Sequence, residues 1–268
     1  MSDRIYFLPH GGGPLPLMGD PAHRGVIELM RGLGERIAWC RAVIVVTAHW
    51  ESDAVAFSGA ERPSLLFDYY GFPPETYEYV YPAPGAPDLA ARAAELLGAA
   101  GIASRIDPER GYDHGTFVPM MLIRPEADIP ILQMSLLASL DPAAHVAVGK
   151  ALAPLLGDGI ALIGSGLSFH NLGALLRGKP MPAHEDRAFD DWLNETLLDP
   201  ALGGAEREAR LAAWADAPGA RFCHPREDHL LPLYVCYGAA AAANLRPANI
   251  FRDRLMGFLT SGFCWRDG

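Results

Sequence analysis

This chain of 268 residues lacks a membrane-length apolar run, a disulfide scaffold and any surplus of positive charge. Its alanine-rich stretch at 239–243 is far shorter than the roughly 20 residues a helix needs to cross a bilayer. The opening MSDRIYFLPHGGG has no basic segment leading into a long apolar stretch, so no secretory signal is expected. Four cysteines, Cys40, Cys223, Cys236 and Cys264, follow neither disulfide-framework nor zinc-finger spacing, as expected of reduced thiols in a cytoplasmic protein. Cys223 reads as a small packed residue before it reads as a ligand. The formal charge of −10 is spread along the chain, which argues against a surface that coats nucleic acid. HGGGP lacks the GxGxxG spacing of a dinucleotide fingerprint, and no repeat or low-complexity linker divides the chain.

What is present is a protein half apolar and one-fifth charged, long enough to fill one large core across residues 1–268. Residues 4–8, 42–49, 54–58, 102–107, 127–137 and 159–166 read as strands. The run AVIVVTAH has the near-continuous apolar character of a strand covered on both faces. Helical spacing follows Pro21, continues through DLAARAAELLGAAG to Gly101, and runs from Pro142 to about Leu156. Further helices are expected at 184–198, at 205–215 and after Pro225, and the segment from Ile250 to Trp265 is expected to return as a strand that closes an edge of the sheet. The alternation predicts a single α/β domain with a central, mainly parallel or mixed β-sheet flanked by helices. The loop from Asp68 to Pro87 is rich in Tyr, Phe, Pro and Gly. Tyr70, Phe72, Tyr77, Tyr79 and Tyr81 are candidates for an aromatic entrance or for packing on the sheet.

Histidine placement carries the functional signal. His10, His49, His114 and His170 stand where strand-like runs give way to Gly, Pro or polar residues, and His229 lies in HPREDHLLPLY. No local spacing links them, so a metal held by them is gathered from remote segments, as in catalytic centres with open coordination positions. Each also has an ordinary reading: a solvent-facing turn for His10, a carbonyl-bonded core imidazole for His49, a capped loop for His170, and a surface Asp113–His114 bond. His23, His145 and His184 are expected on helical surfaces or near helix starts.

The ordered segments PHGGGP, VVTAHWE, GFPPETYEYVYPAPG, RGYDHGTFVPM, ADIPILQMS, GSGLSFHNL and PREDHLLPLYVCYGA resemble the class III extradiol ring-cleaving dioxygenases, in the subgroup of DOPA 4,5-dioxygenases. The resemblance implies Fe(II) bound by His10, His49 and His229, with His224 the substitute should His229 stand apart. It also implies His170 as acid/base and His114 as a substrate-facing histidine. An all-histidine set departs from the two-His-one-carboxylate triad and makes Zn(II) occupancy of the same site in purified protein an expectation. The implied partners are a small catecholic substrate and O2, with no nucleic acid and no membrane, and a homo-oligomer is left open. LASLDPAAH and MGFLTSGFCW differ from family wording, so what carries over is catechol cleavage with a DOPA-like substrate as one candidate. The rival readings are a zinc-dependent hydrolase, a non-enzymatic binding protein of the same fold, and a Ser–His hydrolase using Ser165 or Ser168. GSGLS lacks the GxSxG nucleophile elbow that the last would need.

Overall fold

The computed structural model describes residues 3–175 and 184–268. Its strands are β1 (Asp3–Pro9), β2 (Ala42–Ser52), β3 (Val55–Ser58), β4 (Ser104–Asp107), β5 (Ile131–Leu137), β6 (Ile160–Gly166), β7 (Arg246–Leu255) and β8 (Phe258–Arg266). Among the described residues they form one sheet in the order β4-β3-β5-β2-β6-β1-β8-β7. The middle four, β5-β2-β6-β1, are parallel. β3 and β8 join antiparallel on either side, so the sheet is mixed.

Alternate residues of the central strands enter two separate cores, which explains their unbroken apolar runs. Ile44 and Val46 of β2 face one core while Val43 and Val45 face the other. The first core is covered by α2 (Pro87–Ala99), α4 (Pro142–Leu152), α6 (Glu185–Leu198) and α9 (Leu231–Ala242), the second by α1 (Arg24–Arg36) and α3 (His114–Ile123). α1 buries Val26, Ile27, Met30 and Leu33 along one stripe. The Asp20 and Asp141 side chains accept from Ala22 N–H and Ala143 N–H, and a proline follows each, so both helical segments start where expected. α5 (Leu172–Leu175), α7 (Gly204–Ala212) and α8 (Ala220–Cys223) complete the helices among the described residues. None is long and apolar enough to cross a membrane.

Three expectations are corrected. The segment after Asp113 is not a surface turn but α3, of whose ten residues nine are buried. A helix apolar on every side has no 3.6-residue periodicity to display. The carboxyl-terminal segment is a hairpin rather than one strand: Leu255 pairs with Phe258 across a two-residue turn with Met256 at φ 51° and Gly257 at φ 92°. Such turns are usually announced by Asn-Gly or Asp-Gly, and Met at the first left-handed position hides this one. Finally, His23 and His145 are fully buried, not superficial. His23 Nε2 accepts from Gly12 N–H at 3.0 Å, while His145 Nε2 accepts from Leu137 N–H at 3.1 Å. Both use their rings to satisfy backbone at strand or turn ends.

Candidate active site

The carboxyl ends of parallel strands in an open α/β sheet leave a crevice where ligands collect. His10 directly follows β1. The chain then turns through Gly11 at φ 88°, where a Cβ would stand 2.6 Å from Pro16 Cγ and 2.8 Å from His23 Cδ2. His49 lies near the end of β2, inside an irregularity of pairing: from Val46 to Glu51 the strand advances five residues while its partner advances two, from Met134 to Leu136. A bulge of this kind re-aims side chains, and here His49 turns into the crevice. His114 opens α3, His170 follows the end of β6, and His229 precedes α9. Gly166 lets the last turn close in, because a Cβ there would lie 2.2 Å from His229 O.

These five imidazoles form one cluster. His10 Nε2 and His49 Nε2 are 3.1 Å apart. The His229 ring centre is 5.2 Å from that of His10 and 4.8 Å from that of His49, and His114 is 3.9 Å from His49. His170 stacks on His229 at 3.4 Å with 20° between planes. By donor-atom proximity the cluster resolves into two trios, His10–His49–His114 and His170–Asp228–His229. His224 stands outside it. Its Nε2–H donates to Ser168 O at 2.9 Å, and its ring faces Phe189 and Trp214.

The partners of each ring separate their capacities. His10 Nδ1–H donates to Ser165 Oγ at 3.2 Å, and the Ser165 hydroxyl in turn donates a hydrogen bond to Gly115 O. That carbonyl is free because the residue four places on, Pro119, has no N–H. The Nε2 of His10 is thereby left as the bare nitrogen. His114 Nδ1–H and backbone N–H both donate to Asp68 Oδ1, at 2.8 and 2.9 Å. His229 Nδ1 lies 3.1 Å from Asp228 Oδ2 yet off the hydrogen-bonding direction, so this buried nitrogen has no partner. Burial, reinforced by neighbouring imidazoles, holds His10, His49 and His229 well below the ordinary value of 6.5. Burial also lowers His170, with Asp228 opposing. These four rings are therefore neutral at neutral pH, each with one nitrogen lone pair to offer.

Such a set fits a nitrogen-binding divalent metal. Two nitrogens about 2.1 Å from one ion and somewhat over 90° apart would stand roughly 3.1 Å from each other. His10 and His49 already hold that separation, and on the Asp228 side Nδ1 of His229 is buried without a hydrogen-bond partner.

Around this centre lies a buried polar frame. Thr47 Oγ1–H donates to Asp113 Oδ1 at 2.7 Å, and Arg110 Nη2 donates to both Asp113 Oδ2 and His49 O. Asp113 is thus bonded to Thr47 and Arg110, and the ordinary reading of a surface Asp113–His114 bond is not what the structure shows. Burial, with Asp68 nearby, pushes its carboxyl up to about 6. Tyr81 is buried, donating to Met120 O and Arg124 O, so it packs instead of lining an entrance. Tyr70 is 92% exposed, whereas Phe72 rests 3.2 Å from the place of a Gly13 Cβ beside the His10 turn. Neither Ser165 nor Ser168 is a free nucleophile: the first donates to Gly115 O, and the second accepts from Ser261 N–H at 2.7 Å. The Cys223 thiol is buried and donates to Glu185 O.

A family described as the catalytic LigB subunit of aromatic ring-opening dioxygenase matches residues 4–262. The chain belongs to the LigB family. LigB relatives are found in several kingdoms. A protein named dioxygenase tasH from Hapsidospora irregularis is 45% identical over 254 residues, covering 88% of this chain and 78% of that one. A 4,5-DOPA dioxygenase extradiol from Portulaca grandiflora is 38% identical over 74% of this chain and 72% of its own. The protein of that name from Beta vulgaris is 35% identical over 88% and 86%. The crystal structure of an uncharacterized Escherichia coli K12 protein superposes with a TM-score of 0.80 at 29% identity, covering 99% of this chain and all of that one. This LigB member is an enzyme, an extradiol aromatic ring-opening dioxygenase, and its family's chemistry is metal-dependent. The binding-protein and hydrolase readings fall with that membership.

Sequence reasoning missed Asp68 and Arg110. Asp68 was visible only as the start of an aromatic loop, and nothing local ties it to a histidine 46 residues later.

Proposed function

We propose that residues 1–268 act as one catalytic domain that opens the ring of a catechol with O2, using Fe(II) held by His10, His49 and His229. The observation that carries this reading is the convergence of buried, neutral imidazoles on the carboxyl edge of the sheet, with an unpartnered nitrogen on His229. Ferrous iron, when bound, supplies the accessible redox change that lets an aromatic diol and dioxygen react, which zinc lacks. The protein's own groups do the rest.

His170, neutral through burial, accepts a proton from a catechol hydroxyl and later returns it to the product. His114 is turned by its Nδ1–H bond to Asp68, so Nε2 is the nitrogen that meets substrate. Asp68 serves as the outer partner that fixes this ring, a common device around metal sites. An aromatic wall of Phe67, Tyr69, Tyr77 and Phe117, with ring centres 5.2 to 6.4 Å apart, stands beside His114. Both atoms of O2 enter the product, and no external reductant is consumed. The relatives named for DOPA support a DOPA-like catechol as the substrate class.

The test is anaerobic loading of metal-free protein with Fe(II) or Zn(II), followed by a catechol panel with O2 uptake and absorbance recorded. The iron form should take up one O2 per catechol and form a yellow ring-opened product, while the zinc form stays inactive. An iron form at full stoichiometry that takes up no O2 with any catechol of the panel would defeat the reading.

A further inference from the structure

Two loops bring His170 and His229 face to face, and they are fastened along their length. Leu167 N–H donates to His229 O at 2.9 Å, and His170 N–H donates to Cys223 O at 2.9 Å. Asn171 Nδ2–H donates to Phe222 O at 2.7 Å, and His224 Nε2–H donates to Ser168 O at 2.9 Å. Residues 167–171 thus lie against residues 222–229, and the 3.4 Å stack of His170 on His229 is the outcome. Two fasteners are backbone to backbone and survive any side-chain replacement. His224 is a fully buried side chain among them.

An imidazole is an expensive choice for that pocket. Its neighbours are the rings of Phe189, at 5.4 Å, and Trp214, at 6.0 Å, and its Nδ1 has no partner. A leucine or phenylalanine would leave no orphaned nitrogen there. What the imidazole provides is one donor of fixed direction to the carbonyl two residues before His170. A carbonyl only accepts, so Nε2 carries the hydrogen, and burial pushes the ring's pKa down to about 3, which keeps it a single neutral donor.

We propose that His224 is a positioning residue that sets the placement of His170 over His229, an inference that rests on the acid/base reading of His170. Without the Ser168 anchor the His170 ring shifts relative to substrate, and a misplacement of about 1 Å is enough to cost ~10²-fold in rate.

The test uses metal-loaded enzyme carrying His224→Leu, His224→Gln, His170→Ala and the His170→Ala/His224→Leu pair. Metal stoichiometry, thermal midpoint, KM and single-turnover rate are measured for each. His224→Leu should retain metal and KM yet lose about 10²-fold in single-turnover rate. His224→Gln, whose amide can donate to the same carbonyl, should recover most of it. The double variant should be no slower than His170→Ala, because a group that acts through another adds nothing once the other is gone. Additive losses, equal losses for Leu and Gln, loss of metal, or wild-type rates in loaded His224→Leu would each overturn the proposal. His224→Met serves if the Leu variant does not fold. Failure of both beside a stable Gln variant would make the contact a requirement of the fold and overturn it as well. Wild-type rates in His170→Ala would instead sink the acid/base reading, whatever His224 does.

Discussion

Imidazole serves equally as ligand, base or structural donor, and in this protein the atom bonded to its far nitrogen separates the roles. His10 spends Nδ1 on Ser165, His114 spends Nδ1 on Asp68, His224 spends Nε2 on Ser168 O, and His229 Nδ1 is spent on nothing. The proposed ligand set excludes His114 although its donor atom groups with those of His10 and His49. Single alanine variants decide between the two. His10→Ala, His49→Ala and His229→Ala should each purify without stoichiometric metal. His114→Ala and His170→Ala should retain it while single-turnover cleavage falls about 10²–10⁴-fold for His170→Ala, as when an acid/base group is removed. Metal analysis beside stopped-flow absorbance measures both, and loss of metal in His114→Ala with retention in His229→Ala would reverse the ligand assignment. The five histidines could be found in the sequence because each sits at the border of an apolar run. Their partners could not, since Asp68 and Ser165 reach His114 and His10 through folding alone.

At the scale of elements, α3 decides how closely His49 and His114 approach. Gly115 faces β2, and a Cβ on it would stand 2.6 Å from Thr47 Oγ1 and 2.9 Å from His49 Cδ2. Gly115→Ala should therefore push α3 off β2, costing about 1–3 kcal/mol of stability as overpacking does. Since His49 is displaced with it, metal affinity should fall too; chemical denaturation and competition with a chelator report the two effects. Unchanged values for both would show that the helix has slack at this point. α3 is also where sequence reading failed most. The central strands were legible from their apolar runs and α1 from its stripe, but HGTFVPMMLI is buried on every side and contains a proline. That proline is tolerated because Ser165 occupies the carbonyl it leaves free, a compensation 50 residues distant. The β7–β8 hairpin was hidden for a related reason, a left-handed turn built on Met256.

For the molecule as a whole, the buried imidazoles set the response to acid. His10, His49 and His229 lie well below 6.5, His224 falls to about 3, and burial also lowers His23, His145 and His170. As pH falls through about 6.5, the unfolded chain gains protons that the folded chain refuses, so stability is complete above that pH and is lost below it. Asp113, raised to about 6, works in the opposite direction, one group against several. Metal-free protein should accordingly lose denaturant stability between pH 6.5 and 5 with a slope exceeding one proton, as measured by urea titration at each pH. A flat profile over that range would show that the imidazoles are hydrated in solution. The sheet order holds a different consequence, one of timing. β1 lies between β6 and β8, with Ile5 paired to Leu162 on one side and Trp265 on the other. On the ribosome, the strand that leads into His10 is therefore made before both neighbours and waits for β8, long after β6, to gain its second one. Because such distant pairing is slow to close, the metal-binding crevice matures only after synthesis has passed β8. Until then β1 presents an unpaired, apolar edge.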